Sequence, residues 1–378
     1  MFVCENVLTP QGWRQNQQIA FTDGRLTVIE DAPAQHDLPV YQGWLVPGFI
    51  DVQVNGGGGV LFNQQRDAAG LAHIMRAHRA HGTTAMLPTL ITDSFAAMAD
   101  AATAIKAARA AGVTGIIGVH FEGPWLSTAR KGVHSEQFIR PPTAEELALI
   151  SDAELGVVMV TLAPETVGSE VIQQLTDAGI RVFLGHSDAT AAQVNTALDA
   201  GAIGFTHLYN AMSPLQSRAP GMVGVALARD CYAGLIVDGY HVDPQACQVA
   251  FRAKGREQMM LVTDAMALAA TDAQQVPFFD TEIIRDGDKL TTPDGTLAGS
   301  CLTMVEAVRN TVQMCGVTLQ DAAIMASATP AAMLGLDTYG RLSVGCHADM
   351  VLLDNDLNLV QLWQQGEPLH KDVHACQP

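Results

Sequence analysis

Short runs of β-branched and apolar residues recur along the chain, each followed by a polar or glycine-rich break and then by an Ala-rich stretch of helical period. The apolar runs predict strands over 50–55, 83–90, 116–122, 157–164, 181–186, 204–209, 234–238 and 260–264. Between them the 3.6-residue period predicts helices over 67–82, 94–111, 143–151, 169–178, 191–200 and 244–253. Strands alternating with helices give a parallel sheet, and eight strands are the number that closes an α/β fold of the (β/α)8 TIM-like barrel type. Both ends of the chain break this rhythm. Residues 1–44 hold strand-like pieces around the Asp23-Gly24 turn, and the runs 348–353 and 359–363 near the other end also lack a helical period. The expected organisation is a barrel over 45–335, flanked by a small β-sandwich domain built from 1–44 and 336–378. A further stretch, 278–297, is turn-rich and strand-like, with Asp286-Gly287 and Asp294-Gly295.

Of the 378 residues, 48% are hydrophobic and 16% charged, a balance that suits a soluble globular protein. No apolar run reaches the ~18 residues of a membrane helix. The first residues carry no basic region or cleavage-site pattern, so a cytoplasmic location is expected. The seven cysteines are scattered, odd in number and without a C-x-x-C pair, which points to reduced thiols rather than a disulfide framework or zinc ribbon. A net charge of −18 excludes nucleic acid and anionic membranes as natural partners. It also means that an anionic substrate must be held by a local cationic pocket.

Candidate chemistry sits at the C-terminal ends of the predicted strands. Gln53 and Asn55 lie on the first, Glu122 on the third, His186 on the fifth, His207 on the sixth, His241 just past the seventh and Asp264 on the eighth. In a closed barrel these ends converge on one mouth. Glu122 closes an apolar strand in Phe121-Glu122-Gly123-Pro124, where burial without a cation or hydrogen bonds would be costly. His186 or His207 alone would read as a satisfied core residue. Beside Glu122, the two make a set of one carboxylate and two imidazoles that leaves a coordination position open, as catalytic metal sites do. His120 shares a face with Glu122 by strand alternation and competes for the ligand role; it reads as a supporting or barrel-interior residue. Asp264 is placed to take a proton from water and return it to a leaving amine, or to act as a fourth ligand or helix cap. The glycine run 56–59 lacks the spacing of a dinucleotide or P-loop motif and reads as a flexible or closely packed mouth loop.

Taken in order, Pro47-Gly48-Phe49-Ile50-Asp51, Glu122-Gly123-Pro124, Gly185-His186-Ser187, Thr206-His207-Leu208-Tyr209-Asn210-Ala211-Met212, Asp238-Gly239-Tyr240-His241 and Val262-Thr263-Asp264-Ala265 resemble the N-acetylglucosamine-6-phosphate deacetylase family of the amidohydrolase superfamily. The resemblance covers nearly the whole chain. It implies a barrel with a flanking β-sandwich, one divalent metal ion held by Glu122, His186 and His207, and catalysis by Asp264. Zinc is the expected ion, although iron, cobalt and manganese accept the same donors. Many superfamily members carry His-x-His on the first strand to support a second metal. Here Gln53-Val54-Asn55 takes its place, and amides are poor ligands for such ions, so Gln53 and Asn55 mark a vestigial second position.

The resemblance further implies an amino-sugar phosphate substrate. Its phosphate would meet Asn210, the backbone of Ala211, Arg218 and His241; its acetyl group would lie near Val133 and His134, with His134 polarising the carbonyl. Leu297, Ala298 and Gly299 would contact the sugar. Arg218 would reach the neighbouring subunit's site in a homodimer, although its loop position alone suggests only a solvated side chain. The implied reaction is hydrolysis of the acetamide of N-acetylglucosamine 6-phosphate to glucosamine 6-phosphate and acetate in amino-sugar catabolism. Metal-activated water would be the nucleophile, with Asp264 acting first as base and then as acid. The alternatives are the galactosamine epimer of that substrate or another amidohydrolase reaction. The fourth strand ends in Leu162-Ala163-Pro164-Glu165, without the bridging lysine common in two-metal relatives. A non-catalytic binding protein on the same barrel would have no need of Asp264.

Overall fold

A computed structural model describes residues 1–369. The last part of the expected flanking domain, 370–378, lies outside the described residues. Eight strands, Phe49–Val54, Thr83–Ile91, Gly118–Glu122, Val157–Leu162, Arg181–Leu184, Gly204–Phe205, Tyr232–Leu235 and Met259–Leu261, stand side by side in chain order and all parallel. The barrel closes at its mouth. Val54 bridges Ala265 in parallel, the Asp264 N–H donates to the Gln53 carbonyl at 3.0 Å, and the Asn55 N–H donates to that of Ala265 at 2.9 Å.

The six expected helices are present, and side-chain caps set where most of them begin. Asp67, Ser94, Thr143, Thr190 and Asp243 each accept a backbone N–H of the first turn, satisfying a donor that the helix itself leaves free. Helices Gly221–Ala228, Met304–Cys315, Leu319–Ala326 and Ala328–Leu334 were not expected. The first carries two glycines and is apolar all round, so it has no polar face to reveal a period. Several strands are shorter than expected, and three of them end at Leu184, Phe205 and Leu261, before His186, His207 and Asp264. Those three residues take left-handed backbone angles, with φ of 47°, 31° and 51°, which a regular ladder does not accommodate.

The flanking unit is one seven-stranded sheet, ordered Glu367–Leu369, Leu359–Gln364, Met350–Leu353, Val40–Pro47, Phe2–Thr9, Gly12–Thr22 and Arg25–Asp31. It curls back on itself: the Leu26 N–H donates to Cys346 and the Ala348 N–H to Gly24, each at 2.9 Å. The two halves thereby enclose a sandwich-like core of Phe2, Val7, Ile19, Leu26, Leu45, Met350, Leu352 and Trp363. A third sheet, Gln275–Phe278, Thr281–Asp286 and Lys289–Thr291, packs with Leu61, Ile91 and Met266 over one side of the mouth. Cys376 is outside the described residues, and the other six cysteines are buried free thiols. No helix among the described residues is long and apolar enough to cross a membrane.

The glycine run proves closely packed. The carbonyls of Gly56 and Gly58 accept Nε2 of His78 and His73, each at 2.8 Å. A Cβ on Gly57 would sit 2.6 Å from His78 Nε2, and that ring is fully buried with little room to move. Gly57→Ala should therefore lower the unfolding free energy by about 1–3 kcal/mol in a urea titration. An unchanged midpoint would show that the loop is loose.

Candidate active site

Three buried side chains converge at the floor of the mouth. His186 Nε2 and His207 Nε2 lie 3.0 Å apart, at 3.2 and 3.0 Å respectively from Glu122 Oε1. His186 Nδ1 donates to the Arg130 carbonyl at 2.9 Å, which leaves its Nε2 lone pair facing the cluster. Burial pushes the Glu122 carboxyl up, but the adjacent His186 and His207 rings outweigh it and hold the group well below its usual range. One carboxylate and two imidazoles aimed at a common point are the donor set a zinc-like divalent ion takes. The residues fit the group.

Asp264 stands beside this cluster, raised to about 6 by burial first and by the Glu122 charge second. Gln53 and Asn55 explain how two carboxylates tolerate each other. Gln53 Nε2 donates to both Glu122 oxygens at 3.2 Å and to Asp264 Oδ1 at 3.1 Å, and Asn55 Nδ2 reaches the same Oδ1 at 2.7 Å. Both amides thus present N–H groups, not lone pairs, to the acids. The first and eighth strands are locked just below, where Thr263 Oγ1 donates to Asp51 Oδ2 at 2.5 Å. Burial raises the Asp51 carboxyl to about 7. His120 takes the barrel-interior role: its nitrogens meet Thr161 Oγ1 at 2.7 Å and Thr89 Oγ1 at 3.2 Å, and burial pushes it down to about 4.

Above the floor opens a cavity of about 250 Å³ lined by Asn55, Glu122, Val133, His134, His186, His207, Asn210, Ala211, His241, Asp264, Leu297 and Gly299, among others. His134 is held by Thr92, whose N–H donates to Nδ1 at 3.3 Å and whose Oγ1 lies 2.8 Å from it. An Nδ1 that accepts places the ring proton on Nε2. Burial, with His186 adding to it, keeps His134 well below the usual imidazole range, hence neutral. His241 pairs with Asp238 at 2.6 Å. Three predicted residues do not line the cavity, and one of them, Gln53, is buried against the two acids. Ala298 turns into the small core under the third sheet, and Arg218 stands on an exposed loop.

Sequence reasoning missed Thr92 and the lining residues Ile91, Gly132, Met266 and Thr296. Thr92 directly follows the second barrel strand, so the strand-end rule that found Glu122 applies to it as well. The others have no chemical signature, since they shape the wall rather than react.

The sequence profile of the Amidohydrolase family matches residues 44–370. The chain belongs to the amidohydrolase family. Among its relatives, this amidohydrolase is 44% identical to the N-acetylgalactosamine-6-phosphate deacetylase of Shewanella sp. (strain ANA-3), over 98% of this chain and 95% of the relative. It is 35% identical to the N-acetylglucosamine-6-phosphate deacetylase of Vibrio furnissii, with 97% and 94% covered. The crystal structure of N-acetylglucosamine-6-phosphate deacetylase from Pasteurella multocida superposes with a TM-score of 0.93 at 33% identity, covering 97% of this chain and 99% of that one. The expected kinship with these deacetylases is borne out, and with it the barrel fold.

Removing one donor from a three-donor site should empty it. Glu122→Gln or His207→Ala should reduce the divalent metal retained after dialysis by about tenfold or more, measured by elemental analysis. Full retention in either variant would contradict the ligand assignment.

Proposed function

We propose that this amidohydrolase removes the acetyl group from an N-acetyl-amino-sugar 6-phosphate, converting N-acetylglucosamine 6-phosphate to glucosamine 6-phosphate and acetate in amino-sugar breakdown. The observation that carries the reading is the placement of Asp264 beside the Glu122–His186–His207 cluster, at the floor of a cavity that His241 and Asn210 also line. One divalent ion per chain is proposed, zinc first, with iron, cobalt or manganese as alternatives. Gln53 and Asn55 support the single ion, because their N–H groups already occupy the acids that a second ion would need.

When bound, the ion supplies Lewis acidity, polarising the amide and bringing the pKa of water toward neutrality. Asp264 takes the proton of the attacking water and passes it to the departing sugar nitrogen. Gln53 and Asn55 hold its carboxylate in place for both transfers. The His134 Nε2–H meets the amide oxygen as negative charge grows there, a contact worth about 3–4 kcal/mol when well placed. His241, Asn210 and the Ala211 backbone are proposed to hold the phosphate, and Val133 with Leu297 and Gly299 to seat the acetyl group and sugar. Arg218, with Leu215 exposed on the same loop, is proposed to complete the neighbouring site in a homodimer. A cytoplasmic location fits a phosphorylated substrate.

The galactosamine epimer is the second reading, favoured by the name of the Shewanella relative. The two substrates differ at one hydroxyl, and their kcat/KM values measured side by side decide between them. Asp264→Asn should retain the metal and lower kcat by roughly 10²–10⁴-fold in an acetate-release assay. A variant that kept its turnover would remove Asp264 from the chemistry.

A further inference from the structure

A chain of net charge −18 that takes an anionic substrate needs a cation inside the cavity. Beside the Arg218 proposed to come from a neighbouring subunit, no lysine or arginine among the described residues of the chain itself lines it. Four histidines do, and three are committed: His186 and His207 to Glu122, and His134, neutral by burial, to Thr92. His241 remains. Its surroundings differ from those of the other three, because its partner is a carboxylate outside the cluster. Asp238 Oδ2 lies 2.6 Å from His241 Nδ1, and the two side chains are only 5% and 7% exposed.

The other oxygen, Asp238 Oδ1, accepts the backbone N–H groups of Tyr240 at 2.9 Å and His241 at 2.8 Å. The carboxylate therefore shapes the loop with one oxygen and holds the imidazole with the other. Burial pushes the Asp238 carboxyl up, but the hydrogen bond and charge of His241 outweigh it and keep the acid ionised. Asn310 Nδ2 donates to the Val237 carbonyl at 2.9 Å, tying the loop to helix Met304–Cys315.

We propose that Asp238 is a positioning residue that makes His241 the cation this chain brings to its own cavity, fixing a proton on Nδ1 so that Nε2 carries a second N–H toward the substrate's phosphate. The assignment rests on the phosphorylated substrate proposed above. A buried carboxylate stabilises an imidazolium by direct charge pairing, and a charge-assisted hydrogen bond to phosphate is about twice as strong as a neutral one. The Asp238-Gly239-Tyr240-His241 run thereby has a role for its first residue as well as its last.

Asp238→Asn separates the two jobs. Its amide oxygen still accepts the N–H groups of Tyr240 and His241, so the turn persists. Its NH2 group faces Nδ1 as a donor, so His241 becomes a neutral ring with a single proton on Nε2. With N-acetylglucosamine 6-phosphate and its galactosamine epimer, KM should rise about tenfold or more while kcat changes far less. In a His241→Asn background the same substitution should change KM by less than about twofold, because the group it acts through is gone. An unchanged KM, or equal losses in both backgrounds, would overturn the proposal. If the wild-type enzyme releases acetate from neither sugar phosphate, the functional reading fails instead. The positioning role is then decided by calorimetric titration with inorganic phosphate, which Asp238→Asn should bind about tenfold more weakly and would bind equally well if the proposal is wrong. Should Asp238→Asn not fold, imidazole ¹⁵N shifts of His241 in the wild type serve: both nitrogens protonated near neutral pH support the proposal, and a bare Nδ1 overturns it.

Discussion

Two carboxylates share the floor of this barrel, and much of the site follows from keeping them there. Glu122 is buried and Asp264 half-buried beside it, and the Glu122 charge raises the cost of ionising Asp264. The protein answers with polar groups on every side. Gln53 bridges the two acids, Asn55 holds Asp264, and the Nε2 atoms of His186 and His207 face Glu122. A divalent ion held at that point would complete the compensation and leave Asp264 for the proposed proton transfer. The amides on the first strand then have a positive purpose: their N–H groups hold both acids.

Backbone geometry makes the convergence possible. His186, His207 and Asp264 leave their strands in left-handed turns, so their side chains swing over the barrel mouth instead of continuing the pleat. The same turn at Asp264 closes the barrel, since its N–H bonds the Gln53 carbonyl and the adjacent Ala265 pairs with Val54 and Asn55. Fold closure and the placement of Asp264 in the candidate site therefore share atoms, and a change that loosens one loosens the other.

The strand–helix alternation made the barrel legible from the sequence, and the strand-end rule found Glu122, His186, His207 and Asp264. What escaped has physical reasons. Helix Gly221–Ala228 is apolar all round and carries no period. The left-handed turns lie inside apolar runs, so a reading by hydropathy extends the strands through them. Thr92 bears on the cavity only through His134, a contact 42 positions away in the chain. Asp238 was visible as part of a motif, but its role needs the 2.6 Å distance to His241. Arg218 could be named only by family resemblance, and within one chain it stands apart from the cavity.

The central claim is that a divalent ion on Glu122, His186 and His207, working with Asp264, hydrolyses the acetamide of an amino-sugar phosphate. Its most direct test is acetate release from N-acetylglucosamine 6-phosphate and its galactosamine epimer, before chelation, after it, and after metal is restored. The account predicts turnover of at least one of them that disappears with the ion and returns with it. Full turnover in the chelated, metal-free enzyme, or no acetate from either sugar with metal bound, would contradict it.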